Sequence, residues 1–242
     1  MSKKHSAAVA PWEVTADMFL SESEVESLLK YVRERERTDP AATRIRATVD
    51  RLIVELLLFS GLRNSELCHL RVVDTVIGHG QSAVQIAGTP KQDRLVYIPR
   101  ELADQISHFV KVSRPDCVSE GILPNDVLQP LILNERGRPY DRTALYRRVV
   151  RNLTEAGLED RASVQLLRHT YGFLAYKRTG GNLLFVQRQL GHAHPMVTAV
   201  YAQFVEFSYS ELANHVAGEK ESFIQNKVRR TSKITRKKGA KP

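Results

Sequence analysis

Leu190-Gly191-His192-Ala193-His194-Pro195-Met196-Val197-Thr198-Ala199-Val200-Tyr201 is the stretch around which the chain can be read. Gly191 closes an apolar helical run, and His192 follows it directly. Tyr201 lies nine residues further on, in a helix expected over 195–204. Two arginines precede this stretch, in Gly61-Leu62-Arg63-Asn64-Ser65-Glu66-Leu67 and in Leu167-Arg168-His169-Thr170. Each group alone has an ordinary reading: Arg63 a surface residue, Glu66 a helix-start acid, Tyr201 a packed ring. Arg168 is less ordinary, because it stands among Leu166, Leu167, Tyr171 and Phe173, where a charge is expensive unless paired. His169 points about 100° away from it around a helix and reads as a hydrogen-bonded structural residue.

Together these residues supply a phenolic nucleophile, an imidazole and two guanidinium forks. That set suits attack on a phosphodiester without a metal, because the forks bind non-bridging oxygens bidentately as charge builds on phosphorus. Lys91 stands in a turn between two expected strands, eight residues before Pro99, where a lysine can reach into a groove and protonate a leaving oxygen. Read alone, it is a solvated turn lysine.

Charge points to a polyanion. The formal net charge is +9, but residues 227–242 hold eight Lys/Arg and no acid, leaving 28 basic against 27 acidic residues elsewhere. Residues 135–178 add a second concentration, with ten Lys/Arg against five Asp/Glu. A basic patch and a basic tail fit nucleic acid; a solubilising tail and a solvated helix face are the plain alternative. The most apolar run, Leu52 to Phe59, is short and carries Glu55, so it is no membrane span. No signal-peptide pattern opens the chain, and Cys68 and Cys117 cannot build a disulfide framework. Cys68 reads as a small core residue. These features favour a soluble cytoplasmic protein.

Ser21-Glu22-Ser23-Glu24 reads as a capping box before a helix with Val25, Leu28, Leu29 and Val32 on one face. A second helix over 42–60 ends at Gly61, and Asn64 or Ser65 caps a short third one. Strands are expected at 82–87, 94–98 and 131–133, and helices at 100–111, 141–157, 163–178, 182–190, 195–204 and 207–216. The fold class is therefore α+β, mainly helical, with a small antiparallel sheet after the first arginine. Residues 1–18 read as a flexible N-terminal segment, 19–217 as one domain and 218–242 as a basic C-terminal tail.

The order and spacing of Arg63, Glu66, Lys91, Arg168, His192 and Tyr201 resemble the tyrosine recombinase (phage integrase) family. Phe19-Leu20-Ser21-Glu22-Ser23-Glu24-Val25 is similar to the start of that family's catalytic domain. The resemblance implies a site-specific recombinase or integrase that cleaves DNA through a 3′-phosphotyrosyl intermediate on Tyr201. Arg63, Arg168 and His192 would stabilise the phosphate oxygens, Lys91 would be the general acid, Glu66 a supporting residue. It further implies no cofactor and no metal, double-stranded DNA as partner, a homotetramer on paired sites using 207–216 as an assembly element, and an accessory DNA-binding protein. Mobile-element integration is among the outcomes it covers. One departure is Gln165, where the family commonly has a histidine. Glutamine can hydrogen-bond but not titrate near neutrality, and losing a general base commonly costs about 100- to 10,000-fold. The other is size: about eighteen residues precede the resemblance, as in minimal, catalytic-domain-only members such as fimbrial-switch invertases. A weakened DNA-binding regulator of the same fold, a topoisomerase-like enzyme and a plain helical interaction module remain open alternatives.

Overall fold

The computed structural model describes residues 14–78, 81–87, 93–117, 126–134 and 136–216. Among them, α1 (Glu22–Thr38) and α2 (Ala41–Ser60) pack together. Ser21 Oγ and the Glu24 carboxylate cap α1 reciprocally, as the sequence pattern requires. Leu52, Ile53, Val54, Leu56, Leu57 and Leu58 are all buried, so α2 is apolar on nearly every side and runs through the core. Glu55, in the middle of that run, is buried but paired: Arg33 Nε donates to it at 2.8 Å and Arg51 Nε at 3.1 Å.

Gly61 ends α2 in the left-handed conformation, φ 63°, and α3 (Asn64–His69) follows. A three-stranded antiparallel sheet comes next: β1 (Thr75–Gly78), β2 (Gln81–Ile86) and β3 (Arg94–Tyr97), in that spatial order. Val84 pairs with Thr75 on one side and Val96 on the other, and both valines face the core. α4 (Arg100–His108) packs against this sheet; α5 (Arg142–Glu155) and α6 (Val164–Arg178) pack against α2. α7 (Leu183–Leu190), α8 (Pro195–Ala199) and α9 (Tyr209–Val216) complete the described chain.

The expected class, mainly helical with a small antiparallel sheet, is what the chain forms. Three local expectations need correction. The third strand is Thr75–Gly78 rather than 131–133. Residues 130–133 make only isolated bridges, Arg71 with Pro130 and Leu133 with Pro139, and neither proline has an N–H to extend a ladder. The helix expected over 195–204 stops at Ala199; a turn carries Tyr201, and a 3-10 turn spans Ala202–Phe204. Tertiary packing breaks it, because the Tyr201 ring is drawn inside and Phe204 stacks edge-on against Phe19. Residues 14–18, expected to be loose, are anchored: Val14 is buried and Gln203 Nε2 donates to its carbonyl at 3.1 Å. Leu20 N–H is also held, by the buried Thr170 hydroxyl at 2.9 Å. The flexible reading of 1–13 and the basic tail over 218–242 lie outside the described residues. Cys68 is buried as expected, and burial pushes its thiol up to about 11.

A buried ionic knot joins α5 to α2. Arg148 Nε donates to Asp50 Oδ1 at 2.6 Å, and Asn152 Nδ2 donates to the same oxygen at 2.8 Å. Arg148 also reaches the Arg46 carbonyl at 2.9 Å and the Tyr140 hydroxyl. Removing one partner of such a pair strands the other charge away from water. Asp50→Ala should therefore destabilise the protein by about 3–5 kcal/mol, read as a lowered urea midpoint, with Asp50→Asn losing less.

Candidate active site

Three consecutive carbonyls at the end of α7 each accept from a different arginine. Arg94 Nε donates to Gln189 O at 3.1 Å, an Arg168 N–H to Leu190 O at 2.7 Å, and an Arg63 N–H to Gly191 O at 3.0 Å. The last four carbonyls of a helix lack intrahelical partners and carry the negative end of its dipole, so this terminus collects cations. Arg168 also donates to the Gly61 carbonyl, which ties the end of α2 to the end of α7. Gly191 is left-handed at φ 64°, and a Cβ there would sit 2.8 Å from the Arg94 guanidinium carbon. Only glycine both closes this helix and admits that side chain.

Glu66 binds the cluster from the other side. Its carboxylate accepts from the Arg63 backbone N–H at 2.7 Å, the Arg63 guanidinium at 2.8 Å, and both terminal nitrogens of Arg94 at 2.8 and 3.0 Å. Burial alone would push the Glu66 carboxyl up; the Arg94 and Arg63 hydrogen bonds and charges outweigh it and hold it at about 2. Arg63 is the N-cap residue of α3, not Asn64 or Ser65 as the sequence suggests, because the Glu66 carboxylate takes its N–H.

Arg168 is 6% exposed, and no carboxylate lies within ion-pair distance of it among the described residues. Burial and the neighbouring Arg63 and Arg94 charges push its guanidinium down to about 10, against the pull of Glu66. His192 is half-buried, with Nδ1 paired to the Thr198 hydroxyl at 2.8 Å. Burial, then the Arg168 and Arg63 charges, push its imidazole down to about 4, so it is neutral at pH 7. Arg63, Glu66, Arg94 and His192 line one open cleft of about 1500 Å³, with Leu95 and Tyr97 of β3 on one wall and Leu184 of α7 on another.

Tyr201 is near this cluster but not in the cleft. Its side chain is 1% exposed and its hydroxyl pairs with Nδ1 of His169 at 3.0 Å. A Cβ at Gly172, one turn along α6 from His169, would collide with the phenol ring. Burial raises the phenol to about 12, with Arg168 pulling the other way. His169 is hydrogen-bonded, as expected, and its partner is this hydroxyl. Gln165 is exposed in the first turn of α6 and does not line the cleft. Lys91 lies outside the described residues. The structure thus brings together Arg63, Glu66, Arg168 and His192, and holds Tyr201 in an adjoining slot. Arg94 was not among the residues singled out from the sequence; the one signal was a charge opening an otherwise apolar strand, Arg94-Leu95-Val96-Tyr97.

No groups of His, Cys, Asp or Glu able to hold a metal ion occur among the described residues, and none of their helices is long and apolar enough to cross a membrane. Comparison with known proteins supplies relatives. The phage integrase family model matches residues 18–206. A tyrosine recombinase of Pseudothermotoga lettingae is 30% identical over 203 residues, covering 83% of this chain and 61% of its own. Tyrosine recombinase XerD of Staphylococcus aureus is 26% identical over 177 residues, covering 72% and 57%. Among solved structures, the XerH site-specific recombinase bound to palindromic difH substrate in a post-cleavage complex aligns with TM-score 0.62 and 26% identity, over 81% of this chain and 52% of that one. The chain spans somewhat over half the length of the curated relatives it matches. With the family match covering most of its length, and the arginines and histidine of the motif gathered at one helix end, the chain belongs to the phage integrase family of tyrosine recombinases.

Proposed function

We propose that the chain is a site-specific DNA recombinase that breaks and rejoins DNA through Tyr201. The observation that carries this reading is the gathering of Arg63, Arg168 and His192, from three separate segments, around the end of α7. Arg168 adds weight: it does not line the cleft and donates to the Gly61 and Leu190 carbonyls, but among the described residues it is a buried cation with no carboxylate at ion-pair distance, and a phosphate reaching it would supply an anion.

In this reaction the Tyr201 hydroxyl gives its proton to solvent water as its oxygen attacks the scissile phosphorus. A tyrosyl O–P bond forms, the bond from phosphorus to the 5′-oxygen breaks, and a 3′-phosphotyrosyl link and a 5′-hydroxyl result. Lys91 gives the 5′-oxygen its proton; Arg63, Arg168 and neutral His192 bind the non-bridging oxygens; Gln165 serves as a hydrogen-bonding substitute for the family's histidine. Attack by a second strand's 5′-hydroxyl reverses the chemistry, so the link conserves the energy of the broken bond. The Tyr201 ring must leave its slot beside Gly172 to reach a phosphate in the cleft. Residues 19–217 are the catalytic unit in this reading, a view the family match supports. Strand exchange engages four copies on two duplexes, with 207–216 as an assembly element, an accessory DNA-binding protein as a further partner, and the cytoplasm as location. The burial of Tyr201 and the exposed Gln165 favour one second reading, a DNA-binding regulator of the same fold that does not cleave.

A DNA substrate whose cleaved end diffuses away separates the two. Wild-type protein should accumulate a covalent adduct, and Tyr201→Phe should give none while still shifting the DNA on a gel. Absence of adduct in the wild type, with binding intact, would leave the regulator. His192 supplies a second test. Its folded value near 4 lies below the unfolded 6.5, so its contribution to stability is complete above pH 6.5 and is lost as pH falls towards 4. In the free protein its NMR ring resonances should titrate near pH 4; a midpoint near 6.5 would show that neither burial nor the arginine charges act on it.

A further inference from the structure

We infer that Arg94 is a positioning residue whose task is to occupy Glu66, so that the charge of Arg63 stays available to a phosphate. The inference deepens the proposed recombinase reading and rests on it for the identity of the substrate.

Glu66 lies between two guanidinium groups. Arg94 grips it with a two-pronged fork, at 2.8 and 3.0 Å, whereas Arg63 spends one terminal nitrogen on it and turns the other to the Gly191 carbonyl. The Arg94 side chain is 12% exposed and that of Arg63 43%, so the first is sequestered and the second open to the cleft. Three charges of this kind sum to a single positive unit. With Arg94 removed, Glu66 and Arg63 would cancel, and the carboxylate would be free to take the bidentate geometry with Arg63 that a phosphate needs. Arg94 also holds the Gln189 carbonyl through Nε, next to the turn that presents His192. One side chain on β3 therefore sets both the charge and the placement of the groups opposite it.

Two other roles for Arg94 predict different results. A purely structural Arg94 would make further substitutions in the cluster additive or worse. A DNA-contacting Arg94 would lose its contact whether or not the Glu66 carboxylate is present, so Glu66→Gln would restore nothing. Arg94→Ala should slow single-turnover covalent adduct formation at saturating DNA about 100-fold. Adding Glu66→Gln to that variant should restore about tenfold, because the carboxylate that captures Arg63 is gone. Arg94→Lys, which keeps the charge but loses the fork, should fall between wild type and Arg94→Ala and serves where the alanine variant folds poorly. Inorganic phosphate binding, followed by the His192 ring resonances, gives the same comparison without cleavage. It should weaken about tenfold in Arg94→Ala and recover in the double variant. Loss of adduct in the wild type alongside this phosphate pattern would sink the recombinase reading and leave Arg94's role standing. A double variant no better than Arg94→Ala in both assays would overturn the inference.

Discussion

The C-terminal end of α7 is where this structure is decided. A helix end exposes carbonyls that must be satisfied, and here Gln189, Leu190 and Gly191 are satisfied in turn by Arg94, Arg168 and Arg63. Those arginines come from β3, from the central helix α6 and from the turn after α2. One short terminus thereby ties together three segments that lie far apart in the sequence. His192 follows directly, so its place is a consequence of the same bonds.

Electrostatics at this terminus are one-sided by construction. Three guanidinium groups and a neutral imidazole gather here with one carboxylate, Glu66, which pairs with Arg63 and Arg94. In water such a gathering would repel; here the helix dipole, the aligned carbonyls and Glu66 offset the repulsion. Among the described residues, no second carboxylate pairs with these arginines, and the surplus positive charge is suited to a polyanion. Asp50 is likewise approached by three guanidinium groups, those of Arg148, Arg151 and Arg35, but there the carboxylate and Arg148 are both buried between α2 and α5.

Much of this was legible in the sequence because it depends on period and on residue type. The apolar periodicity gave α1, α2 and the later helices. The arginine and histidine motifs pointed to groups that do meet, though their catalytic roles remain proposals. Two kinds of feature left little trace. Arginine-to-carbonyl bonds are invisible in a sequence, since every residue offers a carbonyl; Arg94 was overlooked for that reason. The fate of Tyr201 was hidden as well. Helical spacing continues through 195–204, but whether a ring faces the cleft or the core depends on a partner far along the chain, Gly172, that spacing does not register. The strand at Thr75–Gly78 escaped because four residues are too few for alternation to show, while the apolar run at 131–133 was more conspicuous but follows Pro130 and bridges only to Pro139.

Gly172 stands in the interior of α6, where glycine ordinarily costs about 1 kcal/mol relative to alanine. That local loss opens a space one methyl group deep, which acts as a sheath for an aromatic ring. A sheathed phenol is chemically quiet: reagents dissolved in the surrounding water that iodinate or nitrate tyrosines meet the solvent-facing Tyr97 and Tyr146 well before they meet Tyr201. The missing side chain on one helix thus shields a ring carried by another segment from solvent chemistry.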